Sequence, residues 1–551
     1  MQLQSRISTA GSMASIIMAC IWTVCAPASA AARTIYVAEP GRGGHVAPFA
    51  NWVDAATNIQ AAIDEAKDSD TVLISNGTYY LEEQLLVSAY KTNIAIRGLT
   101  GAPEDVLIDG NNYAGKPVTN RCMIVYGNQI RLDALTFTNG RAVGSVWDGY
   151  GGALLTQNSG KTSLVENCRF VGNIAINGGG VGLTYGTVTL RDCVVCDNVA
   201  TNFGGGVYVY HQVNPGILMD GGVIEGNRAG DKGGGVYVVG FESCAVDRYQ
   251  FADTIISCNE AVDSGGGAYC SYAGAFSNAV FDGNAATNKG GGLYFYYGGL
   301  VQDSEISANQ AVTNYGGGAY HENGGRIASS ELRGNSALRG GGVYIARIGE
   351  IFNSILHENT ATDGGGIYLY YGGLARGCLL TRNSAVAGGG INQYQWTYTT
   401  YTTMVESCTI VFNTAVTAGG GLWLRDNDPY TVKNYNNIIW FNTVDSGTHS
   451  NVYNYAWQAS NDFYHCAVPP TSLITTGQGN RTDDPKFVDW AGGNFRLADG
   501  SPCINAGTNM PWMLEPGAVD AEGRQRLDRF SRLADIGCYE YVPRGMMFWQ
   551  H

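Results

Sequence analysis

One asparagine recurs through this chain at a fixed distance from its neighbours. It falls at Asn173, Asn198, Asn227, Asn259, Asn284, Asn309, Asn335, Asn359, Asn383, Asn413 and Asn442. Five residues before each copy stands a small or polar residue: Cys168, Cys193, Gly222, Thr254, Ala279, Ser304, Ser330, Ser354, Cys378, Cys408 and Asn437. Most copies lead into Gly-Gly-Gly, an apolar residue and tyrosine, as in FDGNAATNKGGGLY from Phe281. Self-similarity at roughly 24–30 residues marks a solenoid or an array.

The pattern within each repeat selects the type. Runs of three to five alternating residues, such as Val207-Tyr208-Val209, are separated by Gly and Asn. They read as short strands and corners, and helix-length amphipathic stretches are missing. One repeat supplies one coil of a right-handed parallel β-helix, an all-β fold in which like residues stack at about 4.8 Å. The asparagines then form an amide ladder that also tolerates the left-handed backbone of a corner. The glycine triplets permit tight bends.

Four segments follow. Residues 1–30 read as a signal peptide: Arg6, an apolar stretch around Ile16–Val24, and Ala28-Ser29-Ala30 as a cleavage site. Residues 31–140 read as an N-terminal cap with the first coils, including a helix over Ala55–Lys67 that plugs the open end. Residues 141–445 are the repeats, and 446–551 the last coils and C-terminal cap. In the last segment Asp520, Arg526 and Asp535 are expected to form structural ion pairs. The expected location is secreted or cell-surface.

Glycine makes up 77 of 551 residues, as so many corners demand. A net charge of −14 argues against nucleic acid and anionic membranes. Two of the 14 cysteines lie in the signal segment. Cys168, Cys193, Cys378 and Cys408 occupy ladder positions and read as buried fillers. Cys244, Cys258, Cys270, Cys466, Cys503 and Cys538 could pair, with connectivity open.

The opening, with DTVLISNGTYY and IAIRGL, resembles exported bacterial proteins of the pectin-lyase-like superfamily. The repeats resemble the chlamydial polymorphic outer-membrane protein repeat; Phe170–Asn173 and Phe281–Asn284 match its Phe-x-x-Asn tetrapeptide. The closing DDPKFVD, NFRLADGSPCINAG and DIGCYEY resemble "choice-of-anchor Q" proteins. These resemblances imply a right-handed parallel β-helix. The chain lacks the Gly-His-Gly and Arg-x-Lys blocks of polygalacturonases and the Arg-x-Pro-x-x-Arg block of pectate lyases.

Coil length points to a surface. From the first glycine of a triplet to the next ladder residue, five consecutive coils (Gly265 to Cys378) span 14 residues each. The flanking coils span 18 and 21 before them and 20 and 18 after. Every insertion falls at one corner, which predicts a saddle roughly 20–25 Å wide. Its rims would contain Phe241–Asp253 and Tyr394–Thr403. Beside the short corner stand Tyr296, Tyr297, Glu322, Arg347, Tyr370 and Tyr371, a set suited to sugar rings. A second charged group, Glu305, Glu331, Arg333, His357, Glu358 and Arg382, reads as a solvated network with acid–base chemistry as the alternative. Asp426-Asn427-Asp428 reads as a turn, with calcium as the alternative; no other cofactor is implied. The expectation is an exported protein that recognises extracellular polysaccharide or surface glycan, adhesin-like roles included. A polysaccharide lyase or glycoside hydrolase is the catalytic alternative, and a non-catalytic envelope spacer the structural one. Oligomeric state and catalysis are left open by the sequence.

Overall fold

A computed structural model describes residues 31–39, 41–111, 120–144, 148–210, 216–240, 248–395, 401–426, 432–445, 447, 450–455, 463–470 and 477–543. The signal segment, Cys244 and Asn427-Asp428 lie outside them. The described residues form a parallel β-helix. One coil illustrates the rest: Leu293–Phe295 on the first face, Leu300–Gln302 on the second, Glu305–Ser307 on the third and Gln310–Ala311 on the fourth. The first two faces join into one sheet of 28 strands; the third face carries 14 and the fourth 12. The pairings between coils are parallel and, apart from shifts near Gln157, Asn177 and Ala387, in register, as in Tyr294↔Tyr320 and Ile306↔Leu332.

The asparagines hold successive coils together. Asn309 donates its backbone N–H and its amide to Oδ1 of Asn335 at 2.9 and 3.0 Å, and the amide also reaches the Phe281 carbonyl at 2.9 Å. Its own Oδ1 receives the same two donors from Asn284. Every hydrogen-bonding position of the side chain is therefore filled at zero exposure. The series runs from Asn173 to Asn442 and closes on Asn451. The expected left-handed backbone is not at these asparagines. It belongs to the residue just before each: Gly172, Asp197, Gly226, Cys258, Gly283, Ala308, Gly334, Glu358, Arg382, Phe412 and Phe441. The corner is made one residue early, which frees Asn to turn its amide inward.

The glycine triplets also do more than bend. Gly265 does adopt a left-handed φ of 68°. A Cβ on Gly266, however, would lie 2.3 Å from the carbonyls of Ala285 and Gly291. Here the first and fourth faces come into backbone contact. The same crowding explains an unbroken column of inward alanines on the fourth face, from Ala175 and Ala200 to Ala385 and Ala415. Elsewhere the interior is filled by branched and aromatic side chains, with Phe137 on Phe170 and Phe251 on Phe276.

The second ladder uses whatever small donor is present. Ser304 accepts the Ala279 N–H and donates to the Gln302 carbonyl at 2.7 Å. Cys378 and Cys408 donate to the Arg376 and Glu406 carbonyls in the same way. All eleven described cysteines are free thiols, the five described candidates for pairing included.

The capping helix is shorter than the sequence predicts, Ile59–Glu65 rather than Ala55–Lys67. Ala56 is taken by a parallel bridge to Val37, and Asn58 then caps the helix by accepting the Ala61 N–H. Ile59, Ala62 and Ile63 bury the first coil, and Lys91 Nζ bonds the Asp64 and Ala66 carbonyls at the helix's far end. At the other terminus a hairpin, Phe487–Asp489 with Asn494–Leu497, packs near the last coils. The chain then runs back along the flank, with Thr508 bonded to Asn436 and Cys538 to Thr409. Buried Arg526 pairs with Glu540 at 3.0 Å, not with Asp520 or Asp535. Those two carboxylates instead accept backbone N–H groups, from Glu522, Arg524 and Glu540, and from Asn505 and Tyr541. Among the described residues no helix is long and apolar enough to cross a membrane.

Two outcomes follow from this packing. Asn335→Leu strips the acceptor from two donors of Asn309, at about 1–3 kcal/mol per orphaned group. Urea titration should register a loss of at least roughly 2 kcal/mol; unchanged stability would refute the ladder's structural role. His321 is fully buried beside Phe295, and burial pushes its imidazole down to about 3 from 6.5. The folded state thus excludes a proton that the unfolded chain takes up below 6.5. Stability should fall by about 2 kcal/mol between pH 7 and pH 5 from this residue alone. That increment should disappear in His321→Leu.

Candidate functional site

Insertions do gather at one corner. The short coils turn from the first to the second face within a few residues, as between Phe295 and Leu300. The long ones depart between Val239 and Tyr249 and between Gln395 and Thr403. Of the expected rims, 241–247 and 396–400 lie outside the described residues. Tyr249–Ala252 is second-face strand, with Tyr249 fully buried. Tyr401 and Thr402 stand at the other rim.

The first face carries the tyrosine column. Tyr208, Tyr237, Tyr269, Tyr294, Tyr320, Tyr344 and Tyr368 point away from the solenoid interior, yet six of the seven are buried. They cover one another, with ring centroids 5.5, 5.1, 4.7, 5.0, 5.0 and 5.0 Å apart. A second row, from the residue before each triplet, packs along them. Tyr315 stacks on Tyr344, Lys289 lies 4.8 Å over the Tyr320 ring, and Arg339 lies near Tyr315 and Tyr368. Burial pushes these phenols up, that of Tyr237 to about 12. Offset stacking and cation–π contact make this face a second, external core.

The corner itself divides the six candidate residues. Tyr296 and Tyr370 are half-buried against the tyrosine column. Glu322 accepts the Tyr294 hydroxyl and pairs with Lys289 at 3.5 Å. It staples the stack. Tyr297, Arg347 and Tyr371 remain at the outer edge, with Tyr297 41% exposed. Tyr297 stacks on Tyr272 at 4.6 Å and meets Tyr296 edge-on at 4.3 Å. Arg347 donates to the Asn323 amide oxygen. Tyr371 meets Tyr370 edge-on. Along the edge the order is therefore Tyr272, Tyr297, Asn323, Arg347, Tyr371, one per coil at about 4.8 Å. Tyr272 and Asn323 occupy the fifth place after their triplets, the same place as Tyr297, so the repeat register could have found them.

Beyond this edge a cleft of about 400 Å³ opens on the second face, lined by Arg347, Ile348, Glu350, Leu374, Arg376 and Tyr401 among others. Tyr401 forms its wall and was not among the candidates, because insertions carry no register. Arg376 is fixed by buried Glu406 at 2.8 Å and lies 4.4 Å from the Trp512 ring. Glu350 faces Arg326 at 4.0 Å.

The charged group lies on the third face. Glu305 and Glu331 are direct register partners, as are Arg333 and His357. Arg333 bonds Glu305 and stands 3.9 Å from Glu331; His357 bonds Glu331 at 2.7 Å and faces Glu358 at 3.9 Å. Glu305 and Glu331 line a second cleft, of about 520 Å³, closed on one side by Ala521 of the returning tail. Arg382 is exposed at a corner and, among the described residues, pairs with none of these carboxylates. Exposed pairs of this kind are worth little individually. No group of three or more His, Cys, Asp or Glu among the described residues could hold a metal ion.

No protein-family model matches the chain, the families named for the repeats and the closing segment included, and no curated protein matches it. Among solved structures it is similar to pectate lyase Pel9A, at 13% identity and a TM-score of 0.29, over 93% of this chain and 96% of that one. It is also similar to XylC, solved in complex with xylose, at 9% identity and a TM-score of 0.32, over 93% and 99%. Superposition that loose aligns neither site with the other.

The tyrosine column yields a direct test. Its phenols are raised above their usual value of 10 by burial, so the fold holds them neutral while the unfolded chain ionises them. Above pH 10 the column should therefore lose stability as pH rises. In an absorbance titration the buried phenols should ionise together, with unfolding; smooth ionisation of every tyrosine near pH 10 in a folded chain would contradict the packing.

Proposed function

We propose that this is an exported β-helix protein that recognises an extracellular polysaccharide at the corner between its first and second faces. The observation that carries the reading is the row Tyr272, Tyr297, Asn323, Arg347 and Tyr371 beside the cleft under Tyr401, with Tyr297 and Arg347 exposed and the other three half-buried. Tyrosine rings at a wetted edge suit the apolar face of a sugar, and amide or guanidinium groups between them suit its hydroxyl rim. Tyr297 and Tyr371 are three coils apart, roughly 14 Å, so the ligand is a chain rather than a single ring.

Binding is favoured over catalysis by the state of the cleft's charges. Arg347 bonds Asn323, Arg376 is held by Glu406, and Glu350 faces Arg326. None stands unpartnered over the cleft, where a lyase needs its base or a hydrolase its acid. Adhesin-like attachment through a surface glycan fits the same geometry; a purely structural spacer would leave the exposed edge without a ligand.

The test is titration calorimetry against a panel of soluble plant and bacterial polysaccharides. Tyr297→Ala with Tyr371→Ala should weaken binding by about 1–3 kcal/mol, the usual cost of removing aromatic anchors, with an unchanged melting temperature. Normal binding by the double variant would remove the corner from consideration. Shortened chains, or unsaturated-uronate absorbance, on incubation with pure protein would replace recognition by catalysis.

A further inference from the structure

The fourth face differs chemically from the other three. On the second face most coils carry charge at an outward position, for example Arg326, Glu350 and Arg376, and on the third face several do, for example Glu305, Glu331 and Arg333. On the fourth face six successive coils present Ala285 and Thr287, Gln310 and Val312, Ser336 and Leu338, Thr360 and Thr362, Ser384 and Val386, Thr414 and Val416. These twelve outward positions are uncharged, in a chain with 80 charged residues, and at the far end of two of the strands Arg339 and Asp363 neutralise each other at 3.2 Å.

These residues form two rails. Ser336, Thr360, Ser384, Thr414 and Thr443 are register partners, so five hydroxyls follow one another up the solenoid; those of Thr360 and Ser384 are 3.2 Å apart. Two residues along each strand runs a mainly apolar rail, Val312, Leu338, Thr362, Val386 and Val416. Its apolar members are 58, 41, 40 and 50% exposed in chain order. The rails lie about 6.7 Å apart and run for roughly 19 Å at about 4.8 Å per step. The inward alanines behind them sit against the glycine triplets, so the face cannot yield inward.

A second copy of this chain does not suit the face. A strip of roughly 20 by 10 Å offers about a quarter of the ~800 Å² per partner that a stable interface takes, and each copy carries −14. A polyanion would be repelled by the same charge. What matches is a long, uncharged ligand with hydroxyls on one edge and C–H groups on its face. We propose that the fourth face is a separate docking surface for an uncharged polysaccharide strand lying along the solenoid axis. The hydroxyl rail bonds the sugar hydroxyls, and the apolar rail covers the C–H faces. It is distinct from the corner site and does not depend on it.

The test is retention of the full-length mature protein on microcrystalline cellulose and on insoluble mannan. Leu338→Glu with Val386→Glu should cut retention on at least one of them at least ten-fold. Leu338→Thr with Val386→Thr, which keeps the face uncharged, should fold like the parent and lose less than three-fold. The corner variant Tyr297→Ala/Tyr371→Ala should still be retained, which separates failure of this surface from failure of the corner. No retention of the parent on either polymer would overturn the proposal, as would equal retention of the glutamate variant. A concentration-dependent dimer in sedimentation that the glutamates abolish would assign the face to a second copy and overturn it equally.

Discussion

The stacked asparagine amides fix everything else in this molecule. Each amide bonds forward to the next coil and back to the previous one, so no coil can shift by a residue without orphaning buried donors on both sides. Register in a parallel sheet is otherwise weakly specified where a face is exposed and uncharged. The fourth face is such a sheet, and its strands are only two to five residues long. The amide ladder at its edge, with the glycine triplets beyond, holds that sheet in place. Like then stacks on like in several columns: alanine on alanine, tyrosine on tyrosine, hydroxyl on hydroxyl.

This constraint determined what the sequence could tell. The fixed Asn spacing made the coil, with its short strands and corners, legible, because a solenoid repeats each environment. The left-handed residue was misplaced by one, since Asn is favoured both for that backbone and for amide ladders, and spacing does not separate the two. The alanine column and the crowding at Gly266 went unread for a related reason. Small residues look like corner formers until the opposing backbone is seen.

The corner was legible only in part. Coil length located it, and periodicity placed Tyr297, Arg347 and Tyr371 on one edge. Glu322 was read as a ligand contact, and its bonds to Tyr294 and Lys289 were not foreseen. Those bonds depend on the residue before each triplet folding over the tyrosines, a contact between different parts of the repeat in different coils. Tyr401 belongs to an insertion, where no register exists to place it.

Two kinds of tyrosine therefore coexist a few residues apart, and geometry separates them. At the second place after a triplet the ring has a neighbour above, a neighbour below and a flanking row beside it; it is buried and stiffens the sheet. At the fifth place the chain has already begun to turn, so the flanking row is gone and one edge of the ring meets water. The same ladder principle thus yields a closed stack at one position and an open row at the other. A solenoid can hold its inward columns constant and still vary each outward column independently, because a column touches mainly itself. The aromatic corner and the uncharged fourth face are two such columns, altered on separate edges of one frame, and neither alteration disturbs the amides that hold the coils.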